Sequence, residues 1–395
     1  MSTRKPDRRM DLSHFCRRLP RSGIREIMDV AAGFDDVVSV VAGEPSFDTP
    51  AFIIDAALAD ARAGHTHYTP SVGIAPLRDA VAARCRERWG QAVASEDVLI
   101  GAGAVNAVLA TFLTLVDRGD EVLLPDPGWP NYWAQVQIAG GTGVAYPLSP
   151  DDGYLPDLRV LDSLLTARSK VIVINNPSNP CGVVWPADAV SKVAEWARER
   201  KLWMMSDEIY EDLVFEGEAV SAARWGRERT IVIGGCSKSW AMTGWRIGWA
   251  VCPPHVVRAA APVLEALVSC ACEVSQRAAL AALTGPEDVV GEMRDTYRRR
   301  RDLVRARLQP EGLLPVVPTG AFYALVDLRS TGLSSHEAAM QLIREERLAT
   351  VPGSAFGRMG EGFLRVSLAH ADEKLEAACE RLVRFARRHA GTGSR

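Results

Sequence analysis

Lys238 is the residue best placed to do chemistry, and it is one of only six lysines in the chain. An apolar run that starts at Thr230 precedes it, an apolar segment punctuated by glycine follows it, and Arg246 lies eight residues further on. A lysine that forms a Schiff base must be partly desolvated, so that its amine is neutral and nucleophilic. A lysine is ordinarily a surface residue, but this setting favours a reactive amine with an arginine nearby that is able to neutralise a phosphate.

Polar segments follow several of the apolar runs. Asp207 comes directly after Leu202-Trp-Met-Met-Ser and so projects from the carboxyl end of a predicted strand, although a helix N-cap is the alternative reading. Asn175-Asn-Pro-Ser-Asn-Pro could be only a turn, and Gly101-Ala-Gly precedes a helix whose first amides could bind an anion. Ligands of parallel sheets bind beyond the carboxyl ends of the strands. These segments are therefore predicted to face one crevice.

The elements that must hold these loops alternate between strand-like and helix-like patterns from about residue 72 to 280. The apolar runs predicted as strands start at Glu121, Lys170, Leu202, Thr230 and Ile247. The segments predicted as helices are 74–89, 105–116 and 187–201. Such alternation predicts an α/β fold with a mostly parallel sheet wrapped by helices.

The pattern changes after a long charged helix predicted to end near residue 308. Short strands and helices follow, including Ala321-Phe-Tyr-Ala-Leu-Val and a terminal helix at 371–389, which predicts a smaller α+β domain. We therefore predict three parts. Residues 1–49 form an N-terminal segment that joins the small domain, 50–285 form the large domain and 286–395 form the small domain.

Composition excludes several classes of function. A net charge of -3 and a pI near 6.2 give no reason to expect a nucleic-acid partner, and the Arg298–Arg301 run reads as a solvated helix face because acidic residues intersperse it. No apolar run is long enough to span a membrane, and no apolar signal region follows the basic N-terminus, so a cytoplasmic protein is expected.

The eight cysteines are scattered. Cys270 and Cys272 could be a metal or redox pair, but packed reduced thiols are the preferred reading.

The stretch from Ser237 to Gly248, Ser-Lys-Ser-Trp-Ala-Met-Thr-Gly-Trp-Arg-Ile-Gly, resembles the lysine-containing signature of the class I aminotransferases of pyridoxal 5'-phosphate (PLP) fold type I. It is most similar to the prokaryotic aspartate and aromatic amino-acid aminotransferases. The resemblance extends from about Arg21 to the last helix. It implies PLP as the cofactor, a large domain with a mostly parallel seven-stranded sheet, and no metal.

Four residues carry the implied chemistry around the cofactor ring. The resemblance implies that Lys238 forms the Schiff base with PLP and acts as the catalytic base, and that Asp207 keeps the pyridine nitrogen protonated so that the ring can act as an electron sink. Tyr210 and Asn179 match the family residues that hydrogen-bond the phenolic oxygen. Cys181 replaces the usual threonine of the asparagine loop, for which we expect an altered pocket and retained activity.

The phosphate group has its own implied partners. Arg246 matches the family arginine that binds it, and Ser237 could add a hydroxyl contact. Gly103, Ala104 and Val105 occupy the positions of the family's phosphate loop. Polar side chains are frequent in that loop and are missing here, so main-chain contacts would have to suffice.

Four further matches concern the ring face, the substrate and a second subunit. Trp129 matches the aromatic residue that stacks on the pyridine ring, although a core tryptophan is the alternative. Arg365 matches the arginine that binds the substrate α-carboxylate, a bidentate task that suits the guanidinium group. Gly43 resembles the glycine whose backbone approaches the same carboxylate, and Asn179 is also assigned to the substrate. Tyr68 matches a tyrosine that reaches the phosphate of the neighbouring subunit, which implies a homodimer.

The predicted function is PLP-dependent transfer of an amino group from an L-amino acid, either aromatic or aliphatic, to a 2-oxo acid such as 2-oxoglutarate. A PLP lyase of the β-eliminating C–S type, or a decarboxylase, is the main alternative, because fold type I sites share the lysine, aspartate and arginine. A transcription regulator is disfavoured because too few residues precede Gly43 for a DNA-binding module. A non-catalytic binding protein is disfavoured because the cofactor-anchoring side chains are present. The sequence leaves the identity of the donor open.

Overall fold

The computed structural model describes residue 13 and residues 23–286 and 288–390. The basic N-terminus, Cys16, the start of the family resemblance at Arg21 and the tail at 391–395 lie outside the described residues. Within the described part no helix is long and apolar enough to cross a membrane.

Twelve strands and twelve α-helices are formed by the described residues. The strands are β1 (Val38–Ser39), β2 (Val98–Gly101), β3 (Glu121–Asp126), β4 (Thr142–Pro147), β5 (Ser169–Asn175), β6 (Trp203–Asp207), β7 (Thr230–Gly235), β8 (Gly248–Val251), β9 (Tyr323–Asp327), β10 (Leu348–Ala349), β11 (Val351–Pro352) and β12 (Phe363–Ser367). The helices are α1 (Gly23–Ala31), α2 (Ala51–Arg62), α3 (Ala75–Trp89), α4 (Ala104–Leu115), α5 (Asn131–Ile138), α6 (Leu158–Leu164), α7 (Ala187–Glu199), α8 (Pro254–Val268), α9 (Glu273–Thr284), α10 (Asp288–Leu308), α11 (Ser335–Glu346) and α12 (Asp372–His389).

The central sheet has seven strands in the order β2-β8-β7-β6-β5-β3-β4. The five strands from β7 to β4 are parallel to one another, whereas β8 runs antiparallel to both of its neighbours. The strands β3, β5, β6 and β7 are almost wholly buried, which explains their continuous apolar character. The predicted α/β fold with a mostly parallel seven-stranded sheet is confirmed.

A second core lies around the three-stranded antiparallel sheet β11-β12-β9 and the short parallel pair β1 and β10. The same hydrophobic cluster contains Ile27 and Val40 from the N-terminal part of the chain and Leu375 and Phe385 from α12. Residues from both ends of the described chain therefore pack in one core. The boundaries of the three predicted parts stay a prediction.

The carboxyl ends of the central strands place polar residues at one edge of the sheet. β5 ends at Asn175, β6 ends at Asp207, and β7 ends at Gly235, three residues before Lys238. Because β8 is antiparallel, its first residue Gly248 pairs with Gly235, and so Arg246 arrives at the same edge.

Candidate active site

A cavity of about 460 Å³ lies at this edge of the sheet. All but two of the thirteen predicted site residues line it. Those in the lining are Gly43, Ala104, Val105, Trp129, Asn179, Asp207, Tyr210, Ser237, Lys238, Arg246 and Arg365. The loops that follow β5, β6 and β7 thus meet residues from the second core.

Gly103 and Tyr68 are not in the lining. Gly103 is the N-cap of α4 and has a φ of 85°, a conformation that favours glycine, and a Cβ atom there would lie 2.7 Å from Nη2 of Arg246. Tyr68 is 88% exposed and lines a separate surface pocket with Cys270 and Cys272. Its predicted contact with a second subunit stays a prediction.

Lys238 is partly buried and makes one hydrogen bond to the described residues. Its Nζ donates to the carbonyl oxygen of Gly43 at 2.7 Å and lies 5.9 Å and 5.7 Å from the ring centroids of Tyr210 and Phe322. Burial, aided by the positive charge of Arg365, lowers the pKa of Lys238 to about 8. A substantial fraction of the amine is therefore neutral near physiological pH, as a nucleophile requires.

Asp207 is buried at the end of β6. Its Oδ2 accepts a hydrogen bond from the hydroxyl of Tyr132 at 2.5 Å, and its Oδ1 accepts one from the amide of Ile209 at 3.2 Å. Burial raises the pKa of Asp207 to about 6, and the bond from Tyr132 opposes this rise. The carboxyl group is thus held in an apolar setting in which the ionised form needs a nearby positive charge.

Asn179 connects the asparagine loop to Arg365. The backbone N–H of Asn179 donates to Oδ1 of Asn175 at 2.7 Å, and the side-chain Oδ1 of Asn179 accepts from Nη1 of Arg365 at 3.2 Å. The Asn175 side chain in turn donates to the carbonyl of Asp207 at 3.0 Å. The loop is therefore fixed to the adjacent strand, with Asn179 facing the cavity.

Arg365 lies in β12, where only 3% of it is exposed. Nη2 donates to the carbonyl of Val41 at 2.8 Å, and Nε has no hydrogen-bond partner among the described residues. The guanidinium carbon lies 4.4 Å from the ring centroid of Tyr323 and 4.8 Å from that of Phe356. Among the residues that the structure describes, no carboxylate pairs with this cation. A buried charge without a counter-ion costs several kcal/mol, so this site is suited to an anionic ligand.

The N-terminus of α4 and Arg246 form a second positive region. The amides of Ala104 and Val105 precede the first bonded turn, and across the described chain no acceptor is present for them. Arg246 has a φ of 54°, and its Nη1 donates to the carbonyl of Thr243 at 2.7 Å. Helix N-terminal amides beside an arginine are well suited to a phosphate group.

Several cavity residues were not identified as site residues from the sequence. They are Met28, Val41, Ala42, Glu44, Tyr132, Asn175, Ile209, Thr243 and Tyr323. The ring of Tyr132 meets that of Trp129 edge-on, with 5.1 Å between the ring centroids. The hydroxyls of Tyr132 and Tyr323 contact residues far away in sequence, so no local pattern could have revealed them.

The side chains present fit PLP. The unpaired α4 amides and Arg246 would hold its phosphate, Asp207 would face its ring nitrogen, Tyr210 and Asn179 would contact its phenolic oxygen, and Lys238 would bind it covalently. A single cavity contains a lysine with a lowered pKa, a buried carboxyl group and a buried arginine that has no counter-ion among the described residues, and this set matches the chemistry of the cofactor.

Comparison with known proteins gives the same picture. The family described as "Aminotransferase class I and II" matches residues 35–382. The aspartate/prephenate aminotransferase of Thermus thermophilus is 39% identical over 352 residues, which cover 88% of this chain and 91% of that protein. An aromatic-amino-acid aminotransferase of Thermococcus litoralis is 37% identical over 94% of this chain and 97% of its own length. A solved structure of the Thermus thermophilus aspartate aminotransferase, a single mutant, superposes with a TM-score of 0.92 at 37% identity, covering 95% of this chain and 99% of that one.

Proposed function

Because this chain belongs to the class I and II aminotransferases and is a PLP-dependent enzyme that transfers amino groups, we propose that the cavity around Lys238 is its active site. The observation that carries this proposal is that one cavity holds two cations with different tasks. Lys238 has a pKa lowered towards neutrality, and Arg365 lacks a counter-ion among the described residues. The first suits a nucleophilic amine, and the second suits a substrate carboxylate.

When bound, PLP supplies a carbonyl group that condenses with amines and a ring that accepts the electron pair released from the substrate Cα. Arg365 would bind the α-carboxylate, with Asn179 and the backbone of Gly43 beside it, and this fixes the Cα of the substrate near Lys238. Once the substrate amine has displaced Lys238, the free Nζ of Lys238 would take the proton from the substrate Cα. It would then deliver this proton to the cofactor carbon that is bonded to the amine nitrogen. Asp207 would hold a proton at the ring nitrogen throughout.

The donor is proposed to be an aromatic or aliphatic L-amino acid. Three cationic side chains line the cavity within the described chain, Lys238, Arg246 and Arg365, and each has a task in the binding of cofactor or α-carboxylate. A side-chain carboxylate would therefore find no additional cation from these residues. Val41, Val105 and Trp129 instead offer apolar surface, which favours an uncharged side chain.

A half-reaction screen tests this function. The holoenzyme is mixed with single amino acids, and conversion of the cofactor to its amine form is followed by absorbance. We expect conversion by phenylalanine, tyrosine or leucine, with release of the matching 2-oxo acid, and slower conversion by aspartate. Release of ammonia and pyruvate without amino transfer would instead indicate elimination.

The acceptor is tested in the reverse half-reaction. We propose 2-oxoglutarate as the acceptor, and pyruvate is the matched comparison because it lacks the second carboxylate. The amine form of the cofactor should be reoxidised to the aldehyde form faster by 2-oxoglutarate. Faster turnover with pyruvate would contradict this part of the proposal.

We also propose a homodimer in which Tyr68 acts on the partner's site, because Tyr68 is strongly exposed and lies outside its own cavity. Mixing Lys238→Ala and Tyr68→Ala subunits tests this arrangement. If Tyr68 acts across the interface, mixed dimers contain one intact site, and activity should return to about a quarter of the wild-type value. No recovery despite verified subunit exchange would place Tyr68 in its own subunit's site.

A cytoplasmic location is proposed as well. The cysteines of the described residues are all free thiols, five of them buried, which suits a reducing compartment.

A further inference from the structure

Tyr323 lies between Arg365, the proposed substrate-binding arginine, and Tyr210, which lines the cavity. It begins β9, only 1% of it is exposed, and its ring lies beneath the Arg365 guanidinium group, 4.4 Å from ring centroid to guanidinium carbon. Its hydroxyl lies 3.0 Å from the hydroxyl of Tyr210. A Cβ atom on Gly43 would come within 2.9 Å of the same hydroxyl, so Gly43 leaves the space that Tyr323 fills.

The two hydroxyls share one hydrogen bond. Each phenol has one hydrogen, so the phenol that accepts the bond keeps its own hydrogen for a third group. Tyr210 lines the cavity beside Lys238, and the hydroxyl of Tyr323 has no hydrogen-bond partner other than Tyr210 among the described residues. Donation from Tyr323 would therefore leave the hydrogen of Tyr210 directed at whatever acceptor the cavity holds.

The surrounding charges favour this direction of donation. Burial raises the pKa of both tyrosines, and the charge of Arg365 opposes this rise at each of them. The Arg365 cation, whose guanidinium carbon lies 4.4 Å from the Tyr323 ring centroid, stabilises negative charge on the Tyr323 phenol and so favours Tyr323 as the donor. The other ionisable groups that face this pair are Asp207 and Lys238 near Tyr210 and Tyr297 near Tyr323.

We propose that Tyr323 is a positioning residue that transmits the occupancy of the Arg365 anion site to the Tyr210 hydroxyl. A carboxylate bound to Arg365 neutralises the cation that lies over the Tyr323 ring, which weakens donation from Tyr323 to Tyr210. Donation from Tyr210 into the cavity weakens in turn. This inference rests on the proposed function, because it takes the cavity to hold PLP and a carboxylate substrate.

The test is the pH midpoint of the visible absorption band of the holoenzyme, measured with and without saturating 3-phenylpropanoate, a carboxylate without an amine. Tyr323→Phe keeps the ring over Arg365 and removes only the hydroxyl. We expect the midpoint of the unliganded variant to rise by about 0.5 unit, because an anionic cofactor oxygen loses part of its hydrogen bonding. The shift that the carboxylate causes should fall to less than half of its wild-type size.

A double-mutant cycle separates positioning from packing. In a Tyr210→Phe background, Tyr323→Phe should cause no further shift, because the intermediate hydroxyl is already gone. The matched control is Tyr146→Phe, which removes a buried hydroxyl bonded at 2.7 Å to the carbonyl of Val173, away from the cavity, and should leave the midpoint unchanged. An unchanged midpoint and carboxylate response in Tyr323→Phe, or a full shift that persists in the Tyr210→Phe background, would overturn the inference.

A second variant covers the case in which Tyr323→Phe does not fold. Tyr323→3-fluorotyrosine keeps the ring and the hydroxyl but makes the phenol more acidic, so the midpoint should move downward, and a midpoint that stays in place or moves upward would overturn the inference. If wild-type protein shows no such absorption band with PLP, the proposed function itself fails. If the wild-type band is normal but neither Tyr323 variant changes its pH midpoint, the inference about Tyr323 fails and the proposed function stands.

Discussion

Two neighbouring groups of charged residues differ in whether their charges are paired. In the α3 cluster, defined here as Arg84 and Arg88 of α3 with Glu211 and Asp212, every charge is paired. Arg84 Nη2 lies 2.6 Å from Asp212 Oδ1, Arg88 Nη1 lies 3.0 Å from Glu211 Oε2, and Arg88 also contacts Asp212. The Arg84 guanidinium carbon is 5.2 Å from the ring centroid of Trp240, two residues after Lys238.

The cavity around Lys238 leaves its charges without such partners among the described residues. Lys238 donates to a backbone carbonyl, Asp207 accepts from a tyrosine and an amide, and Arg365 donates to a carbonyl and an amide oxygen. The α3 cluster contacts the loop that carries Lys238 through Arg84 and Trp240, whereas the charges of the cavity lack counter-ions that a ligand could supply. In these two groups, a buried charge indicates a functional site only where its counter-ion is missing.

The largest expected effect is a loss of stability in the α3 cluster. Asp212→Ala would leave Arg84 and Arg88 partly buried with one acid fewer, and we expect a loss of about 3–5 kcal/mol in the free energy of unfolding. Denaturant unfolding of the cofactor-free protein measures it. Asp188→Ala, which removes an exposed pair with Lys192, is the control and should leave unfolding unchanged. If the two variants were equally stable, the α3 cluster would not be structural.

The next effect should appear in catalysis alone. Arg365→Lys keeps the charge but loses the two-pronged geometry, so kcat/KM for the amino acid should fall about 100-fold while PLP binding is kept. Steady-state kinetics and a PLP titration measure both. Arg329→Lys is the matched control, because Arg329 also lies over an aromatic ring, that of Phe363, but is paired with Asp327. A loss in PLP affinity equal to the loss in kcat/KM would contradict the role of Arg365 in substrate binding.

The smallest expected effect is a gain in the stability of the cofactor-free protein. The pKa of Asp207 is about 6 in the folded, cofactor-free protein and near 3.8 when unfolded, so the cost of burying its charge is present above pH 6 and disappears as pH falls towards 4. Asp207→Asn should therefore stabilise the cofactor-free protein by about 2 kcal/mol at pH 8 and by less at pH 5. Thermal unfolding at both pH values measures it.

Asp157→Asn provides a control for that measurement. Hydrogen bonds from Arg159 lower the pKa of Asp157, so loss of this exposed carboxylate should lower stability at pH 8, not raise it. A gain for Asp207→Asn that does not change with pH, or a loss at pH 8, would contradict the view that this charge is kept at the expense of stability.

The two regions also differ in how well the sequence predicts them. The apolar runs and helical periodicity located β3, β5, β6, β7 and the main helices, because buried parallel strands have a strong local signal. Lys238 and Asp207 follow such strands directly, so the sheet edge that carries them could be predicted. The α3 cluster was not predicted, because Arg84 and Asp212 are 128 residues apart.

The contacts of Tyr132 and Tyr323 were out of reach for the same reason. Tyr132 meets Asp207 across 75 residues, and Tyr323 meets Tyr210 across 113. Family resemblance predicted the groups that would contact cofactor and substrate, but the groups that hold those residues depend on the packing of this particular chain. Tertiary contacts of single hydroxyl groups leave no periodic trace in the sequence.

The most direct test of the central claim is to locate the lysine that binds PLP. The holoenzyme is reduced with borohydride, digested, and examined by mass spectrometry for a peptide that carries the reduced cofactor. Lys238 should be the modified residue among the six lysines of the chain, and Lys238→Ala should give no reducible imine band. Modification of another lysine, or a reducible imine that persists in Lys238→Ala, would contradict the account.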